Sequence, residues 1–335
     1  MEFFVSNIQP YISTYIIRFL IKIYIIVSSF LSSNKQIVKQ VIDNINYSRS
    51  DKVTILTEKA NQQHYEIPTE FFILHLGPKL KYSSCEWNYK TIEENEIMTL
   101  KSYQKYATLE NLCDNSNVLE MGSGWGSLSL FNAETYPKLN FISFSNSESQ
   151  VDYINKIAEK KGLTNLNAHV EDYQDFCSNH SKLEGKKFDR IFAIETIEHS
   201  RNIECLFKYI SHRLNDNGKV FIQSLVHQHK SYMVDNTNWM GRNFFSGGHM
   251  LAMQSYLHYN KHLIVTSMTP RNGKEYSKTL EVWLNKLEKS KDIILKLYGH
   301  THYEKFRMFY MQSIEAFAAK DGSLYMTCYY ELEKR

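Results

Sequence analysis

Short apolar runs alternate with amphipathic segments through the middle of the chain. One amphipathic segment, Gln150–Lys161, predicts a helix between two of the runs. Strands that alternate with helices at this spacing are typical of a parallel sheet with right-handed crossovers. The predicted strands are Asn117–Met121, Asn140–Phe144, Ala168–Val170, Phe188–Ile194 and Lys219–Ser224.

Helical patterns lie on the N-terminal side of this region. They fill residues 11–60, with a polar interruption at Asn46–Lys52, and return from Thr91 to about Leu109. The first stretch predicts an N-terminal helical extension over residues 1–60, followed by one α/β domain over residues 61–335.

The alternation stops after Val226. Residues 227–259 are irregular and contain three glycines, as is common in loops that cover a site. Two further strands are predicted at Leu263–Met268 and Ser323–Glu331, with a helical pattern from Leu280 to Leu297 between them. We therefore expect an α/β, mostly parallel seven-stranded sheet and a helical lid at about residues 227–320.

Residues 11–31 are about as long as a membrane span, but Arg18 and Lys22 lie in the middle. Each would cost roughly 2.5–3.5 kcal/mol at the centre of a bilayer. Because the two residues are four apart, they share one helix face. We expect an amphipathic helix, which either packs on the α/β domain or rests on a membrane surface.

Composition narrows the class of protein. The 335 residues carry 39 basic and 36 acidic side chains, a net charge of +3, whereas nucleic-acid-binding domains are usually strongly basic. The five cysteines are scattered and form no C-x-x-C pair, which is typical of a reducing compartment without a zinc site. No basic segment of a cleavable signal precedes the first apolar run. We expect a cytoplasmic protein that does not bind nucleic acid.

A glycine turn ends the first predicted strand. Gly122, Gly124 and Gly126 form G-x-G-x-G rather than the dinucleotide-binding G-x-G-x-x-G. Glycines here let the backbone approach a ligand at the carboxyl ends of the strands, although a tight strand-to-helix turn needs them too. The second strand ends near Asn146, where a dinucleotide site requires an acid that holds the ribose.

The motifs together resemble the superfamily of cyclopropane-fatty-acid synthases and coclaurine N-methyltransferases. They begin at His64–Phe72 and Leu80–Ser83, pass through the glycine turn GSGWGS, and end with Gly247–Met250 and Phe306–Phe309. The resemblance implies a Rossmann-like methyltransferase with S-adenosylmethionine as cofactor. The expected cofactor-binding residues are Tyr82, Ser83, Glu120, Gly122, Ser123, Gly124, Gly126, Asn146, Gln150, Asp172 and Tyr173.

The end of the fourth strand carries the candidate catalytic residues. If a helical turn begins there, Glu195, Glu198 and His199 stand at i, i+3 and i+4 on one face. A protonated amine cannot attack a methyl group, so a carboxylate or an imidazole must first remove the proton. The spacing E-x-x-E-H is not that of a known zinc motif, and we expect no metal.

Three positions separate the two branches of the superfamily. Its cyclopropane synthases carry Gly where this chain has Glu195, a strand-five His where it has Gln223, and a cysteine near Ser313. The resemblance therefore favours N-methylation of a small amine; a lipid acyl chain as acceptor remains the alternative. A homodimer is compatible with the sequence. The expected substrate-pocket residues are Trp239, Phe244, Tyr276 and Glu315.

Overall fold

The computed structural model describes residues 12–30, 39, 42–43, 53–54, 67–234 and 239–335. The interruption at Asn46–Lys52 and the motif residues His64–Glu66 lie outside the described residues. The helices of this part are α1 (Thr14–Phe30), α2 (Thr69–Ile73), α3 (Ile92–Tyr106), α4 (Ser127–Thr135), α5 (Glu148–Lys160), α6 (Tyr173–Phe176), α7 (Ile203–Arg213), α8 (Trp239–Asn243), α9 (Gly273–Lys289) and α10 (Lys291–Gly322). The strands are β1 (Asn117–Met121), β2 (Asn140–Ser145), β3 (Leu166–Val170), β4 (Phe188–Ile194), β5 (Leu214–His227), β6 (Tyr232–Met233), β7 (His249–Ala252), β8 (Leu263–Arg271) and β9 (Tyr325–Lys334).

Five parallel strands form the centre of the sheet, in the order β3-β2-β1-β4-β5. Strand β9 pairs antiparallel with β5, and β8 pairs antiparallel with β9. This seven-strand path confirms the expected α/β fold with a mostly parallel sheet. Strand β4 lies on one side of β1, and β2 and β3 lie on the other. The strand order therefore reverses at β1, beside the glycine turn. In sheets of this type a ligand is expected at the point of reversal.

Strand β5 is longer than the sequence pattern predicts because it has partners on both edges. Its first part pairs with β4 as far as Gln223, and Lys219–His227 pairs with β9. Beyond the end of β4, Val226 and His227 pair with β7, which in turn pairs with β6. The stretch expected to be irregular thus adds two short strands, for nine described strands in the sheet region.

Helix α1 packs on α10 through one face. Ile17 is buried, and the Arg18 guanidinium bonds Glu315 at 2.5 Å and Glu281 at 3.0 Å. The Arg18 guanidinium, in the middle of the apolar segment, therefore contacts the carboxylates of Glu281 and Glu315 on the α/β domain. No helix of the described residues is long and apolar enough to cross a membrane. The opposite face exposes Tyr15, Ile16, Phe19, Leu20, Ile23, Tyr24, Ile26 and Val27.

Candidate active site

A cleft lies at the carboxyl ends of the parallel strands. It brings together ten of the eleven residues that the sequence assigns to the cofactor; Gly126 alone is absent from its lining. Of the three candidate catalytic residues, Glu195 and His199 line the cleft and Glu198 does not. The ten are Tyr82, Ser83, Glu120, Gly122, Ser123, Gly124, Asn146, Gln150, Asp172 and Tyr173.

The three glycines of the turn have different environments. All have positive φ: 67° for Gly122, 52° for Gly124 and 75° for Gly126. A Cβ on Gly122 would lie 2.1 Å from the Thr196 hydroxyl, and one on Gly126 would lie 2.5 Å from Ile154 in α5. A Cβ on Gly124 would meet no protein atom within 4 Å. Gly126 therefore allows α4 and α5 to pack, while Gly124 leaves space in the cleft.

The polar groups on the β2 and β3 side already have protein partners. Gln150 accepts a hydrogen bond from the Ser145 hydroxyl at 2.7 Å. The Asp172 carboxylate caps α6 by accepting the Asp175 N–H at 2.8 Å, and the Tyr173 hydroxyl donates to Thr196 at 2.9 Å. The Tyr173–Thr196 bond holds the segment after β3 against the segment after β4.

Glu120, at the end of β1, is a buried carboxylate in the cleft. It accepts a hydrogen bond from the Ser129 hydroxyl of α4. Burial raises its pKa to about 7, and the bond from Ser129 and the Lys81 ammonium oppose that rise. Glu120 is therefore partly protonated near neutral pH before any ligand enters.

Glu195 stands at the junction between β4 and the cleft, with a φ of +49°. Its Oε1 accepts the Ser84 N–H at 2.9 Å and the side-chain amide of Gln223, and Tyr276 also bonds the carboxylate. Burial raises its pKa, while the charge of Lys81 and these donors lower it. The donors therefore favour a negative charge at the wall of the cleft.

Glu198 does not line the cleft and is 1% exposed. Its Oε1 accepts hydrogen bonds from the Ser224 hydroxyl, at 2.8 Å, and from the Leu225 N–H, whereas its Oε2 is buried without a partner among the described residues. Burial raises the pKa of Glu198 to about 7. One oxygen thus fixes the side chain and the other is available as an acceptor.

The imidazole of His199 lines the cleft and lies 5.0 Å from the centre of the Phe245 ring. Burial lowers its pKa to about 4, so the ring is neutral at pH 7 and able to accept a proton.

The helical face expected for Glu195, Glu198 and His199 is wrong. The chain forms only a three-residue 3₁₀ turn over Ile197–His199, and Glu195 precedes it in the left-handed region. The physical reason is that Glu195 is held by β5: its N–H bonds the Gln223 carbonyl at 2.7 Å, which continues strand pairing where a helix would have begun.

Lys81 and Tyr103 are among the cleft residues for which the sequence predicts no role. Lys81 is 1% exposed, and its ammonium donates to the Ser83 hydroxyl at 2.7 Å and to the Ser84 carbonyl. Tyr103 donates its hydroxyl hydrogen to the Gln223 side chain. A lysine in a largely polar motif gives no signal of burial, and Tyr103 looks like an ordinary apolar position of α3.

None of the four expected substrate-pocket residues lines the cleft itself. Trp239, Phe244 and Tyr276 belong to a neighbouring buried aromatic cluster. Tyr82 joins the two regions, because its ring lies 5.5 Å from Trp283, which lies 6.2 Å from Tyr276.

Glu315 and Glu275 each have a cationic partner. The Glu315 carboxylate accepts a hydrogen bond from Arg18 of α1. The Glu275 carboxylate accepts two hydrogen bonds from Arg271, at 2.6 and 3.0 Å. Glu275, which stands directly before Tyr276, therefore anchors the start of α9 to the end of β8.

Comparison with known proteins decides the family. The family model described as mycolic acid cyclopropane synthetase matches residues 52–327, most of the chain. The chain belongs to this family. The resemblance stated from the motifs is thereby confirmed, and so are the enzyme class and the cofactor: the chain is an S-adenosylmethionine-dependent methyltransferase.

Both branches of the superfamily are represented among the similar proteins. The chain is 27% identical to (S)-coclaurine N-methyltransferase of Papaver somniferum, over 91% of this chain and 89% of that protein. It shares the fold of a coclaurine N-methyltransferase solved with N-methylheliamine and S-adenosylhomocysteine, with a TM-score of 0.90, 23% identity and coverage of 99% of this chain and 98% of that one. The cyclopropane synthase MmaA2 of Mycobacterium tuberculosis gives a TM-score of 0.71 at 17% identity, covering 85% of this chain and 100% of that one.

Proposed function

We propose that this chain transfers a methyl group from S-adenosylmethionine to the nitrogen of a small amine. The proposal rests on the Glu195 carboxylate, which is buried at the wall of the cleft and accepts hydrogen bonds from Ser84 and Gln223. A fixed carboxylate stabilises the positive charge that grows on a methylated nitrogen. The similarity to (S)-coclaurine N-methyltransferase supports the same class of acceptor.

The lining of the cleft suits S-adenosylmethionine. Space above Gly124 admits a ligand close to the backbone, and Asn146 and Asp172 lie on the same side as hydrogen-bonding groups. The bound cofactor supplies the methyl group, and the protein's part is to hold the acceptor nitrogen in line with it.

We propose that His199 and Glu198 remove the proton of the substrate. His199 reaches the cleft as a neutral base, and Glu198, one residue before it, has one buried carboxylate oxygen without a partner among the described residues. Glu195 supports them by electrostatic stabilisation. Tyr276, which bonds Glu195, joins the cleft to the rest of the proposed substrate pocket, formed by Trp239, Phe244 and Glu315.

A panel of acceptors tests the proposal. Secondary and tertiary benzylic amines, simple alkylamines and unsaturated phospholipids are each incubated with the protein and methyl-labelled cofactor, with Glu195→Gln as the matched variant. We expect the labelled methyl group to appear in amines only. The rate of this transfer should fall strongly in Glu195→Gln. Label confined to acyl chains, dependent on bicarbonate, would establish the cyclopropane or C-methyl alternative instead.

We also propose that the exposed face of α1 rests on a membrane surface. The face is apolar, carries Lys22 and has no acidic residue within Thr14–Phe30, which favours anionic lipid. Sedimentation with vesicles containing phosphatidylserine should deplete the protein from solution, and Phe19→Ser with Ile23→Ser should abolish this. A doubling of mass by sedimentation velocity without vesicle binding would assign the face to a homodimer.

A further inference from the structure

Two buried hydroxyls extend from Glu198 into the core. The Tyr256 hydroxyl donates a hydrogen bond to the Ser224 Oγ at 3.0 Å, and the Ser224 hydroxyl donates to the Glu198 Oε1 at 2.8 Å. Tyr256 and Ser224, which we call the hydroxyl pair, are both fully buried and neither lines the cleft. The hydroxyl pair can therefore act on the chemistry of the cleft through the Glu198 carboxylate.

Packing fixes the tyrosine of the hydroxyl pair. Tyr256 lies in the 3₁₀ turn Ser255–His258, which follows β7. Its ring is stacked on Phe207 of α7, with ring centres 6.0 Å apart and planes at 16°, and it lies 4.6 Å from the Tyr330 ring of β9. The Tyr330 hydroxyl in turn donates to the Met253 carbonyl at 2.6 Å. Tyr256 is thus held between a helix and a strand, with its hydroxyl against β5.

Ser224 has one hydroxyl hydrogen and two acceptors within reach of it. The Glu198 Oε1 lies 2.8 Å from the Ser224 Oγ, and the Leu225 carbonyl lies 3.3 Å from it. A hydroxyl that accepts a hydrogen bond becomes a better donor, and its bond to an ionised carboxylate is stronger than its bond to a neutral carbonyl. The bond from Tyr256 therefore favours the orientation in which Ser224 donates to Glu198.

The ionised form of Glu198 depends on such donors. Burial raises the pKa of Glu198 to about 7, and the negative charge of Glu195 raises it further. The Leu225 N–H and the Ser224 hydroxyl lower it. Burial lowers the pKa of the neighbouring histidine and raises the pKa of each neighbouring tyrosine, so these groups are uncharged at pH 7. They are His199, Tyr256, Tyr276 and Tyr330.

We propose that Tyr256 is a positioning residue for the Glu198 carboxylate and acts through Ser224. The hydroxyl pair fixes Oε1 and stabilises its negative charge. It leaves Oε2, which has no partner among the described residues, to take up a proton. The effect on turnover rests on the proposed function of Glu198 as a base, whereas the effect on the carboxylate itself does not.

The protonation of Glu198 is measured by NMR titration of the full chain, labelled with ¹³C at the glutamate carboxyl carbons. Glu198→Gln identifies the signal. Ser224→Ala removes a hydrogen bond to an ionised carboxylate, so the pKa of Glu198 should rise by roughly one to two units. Tyr256→Phe keeps the ring and removes the hydroxyl that orients Ser224, so the pKa should rise by about half a unit.

Tyr330→Phe provides the matched control for this titration. It removes a buried hydroxyl from the ring that packs against Tyr256, but this hydroxyl bonds the Met253 carbonyl rather than Ser224. The pKa of Glu198 should therefore stay at its parental value. A titration of Tyr256→Phe that coincides with that of the parent would overturn the proposal.

A double-mutant cycle separates action through Ser224 from a general effect of packing. Tyr256→Phe should raise the pKa of Glu198 in the parent and should have no further effect in the Ser224→Ala background. Equal rises in both backgrounds would mean that Tyr256 acts independently of Ser224, which would overturn the proposal. If Ser224→Ala does not fold, Ser224→Cys, whose thiol is a weaker donor, replaces it in the cycle.

The consequence for turnover is measured as the pH profile of kcat/KM with the amine that the parent methylates fastest. A general base is active when it is ionised, so the acid limb in Tyr256→Phe should move to higher pH by the same amount as the carboxyl titration. A carboxyl titration that moves while the activity profile stays in place would count against Glu198 as the base and would leave the positioning by Tyr256 established. If no amine is methylated, the proposed function fails, and the NMR titration still decides the role of Tyr256.

Discussion

Gln223 holds Glu195 from two directions. Its backbone carbonyl accepts the Glu195 N–H at 2.7 Å, and its side-chain amide donates to the Glu195 carboxylate. The first bond fixes the left-handed backbone that turns Glu195 into the cleft, and the second favours the ionised carboxylate. The position where cyclopropane synthases carry a histidine is thus occupied by a group that orients a carboxylate and cannot carry a proton.

Replacing the amide donor should move the pH dependence of catalysis. In Gln223→Met the Glu195 carboxylate remains buried with one donor fewer, so its pKa rises further. We expect kcat/KM at pH 7 to fall by roughly tenfold or more and to recover partly at higher pH. Gln228→Met, beyond the end of β5, should leave the pH profile unchanged. A profile of Gln223→Met that matches the parent would mean that Glu195 plays no part in catalysis.

Two glycines of the turn should respond differently to the same change. Gly124→Ala puts a Cβ into open cleft space, so the protein should fold but bind S-adenosylhomocysteine at least about tenfold more weakly, with roughly 1–2 kcal/mol of strain from its positive φ. Gly126→Ala pushes against Ile154 and should mainly lower stability. Calorimetric titration and thermal unfolding of both variants separate these effects, and full affinity in Gly124→Ala would remove the cofactor from this turn.

The proposed bases should be needed for turnover and dispensable for cofactor binding. Glu198→Gln and His199→Ala should each lower kcat by roughly 10²–10⁴ if one of them takes the proton in the transition state. Titration with S-adenosylhomocysteine provides the control for folding and for the cofactor site. Near-parental turnover in both variants would reduce the pair to a structural role.

Glu198 should also make the protein less stable at alkaline pH. Its pKa of about 7 lies above the ordinary value of 4.5, so its contribution to stability is complete below pH 4.5 and is lost as the pH rises through 7. The free energy of unfolding of Glu198→Gln should therefore match that of the parent at pH 5. At pH 9 it should exceed that of the parent, by at most about 3 kcal/mol. Urea unfolding at both pH values checks this, with Glu159→Gln on the exposed face of α5 as the control.

The sequence predicts the central strands well and their neighbours less well. The bounds of β1 and β4 agree with the predicted ones, because each is a short, mostly apolar and mostly buried segment. Strand β5 extends beyond Lys219–Ser224 because β9 and β7, distant in sequence, supply its partners. Strand β7 has only four residues, too few for a period of two to be recognised against an irregular background.

The same limit applies to the site. The glycine turn and the ends of β2 and β3 can be located because parallel strands bring their carboxyl ends together. The relation of Glu195 to Glu198 could not be predicted, since it depends on a strand pairing that overrides the helical spacing. The burial of Lys81 could not be predicted either. It depends on the Ser83 hydroxyl and the Ser84 carbonyl, which accept hydrogen bonds from its ammonium.

The ion pairs of α1 should be needed for its attachment. Arg18→Met removes the bonds to Glu281 and Glu315 and leaves the latter, which is largely buried, without its cation. We expect faster cleavage within Thr14–Phe30 by a limiting amount of protease, with little change at the cleft. Lys22→Met, on the exposed side, provides the control. Identical cleavage rates for Arg18→Met and the parent would mean that the apolar contacts and the Thr14 hydrogen bonds with Glu288 and Arg307 are enough to hold the helix.

The attachment of α1 to α10 also bears on how the chain is made. The Arg18–Glu315 bond joins residues that are 297 positions apart. During synthesis α1 leaves the ribosome long before α10 exists, and its apolar side chains meanwhile have no native surface to cover them. Domains generally fold in the order in which they emerge, and uncovered apolar segments aggregate or recruit chaperones. Docking of α1 must therefore be a late folding event, which follows the formation of the C-terminal helices.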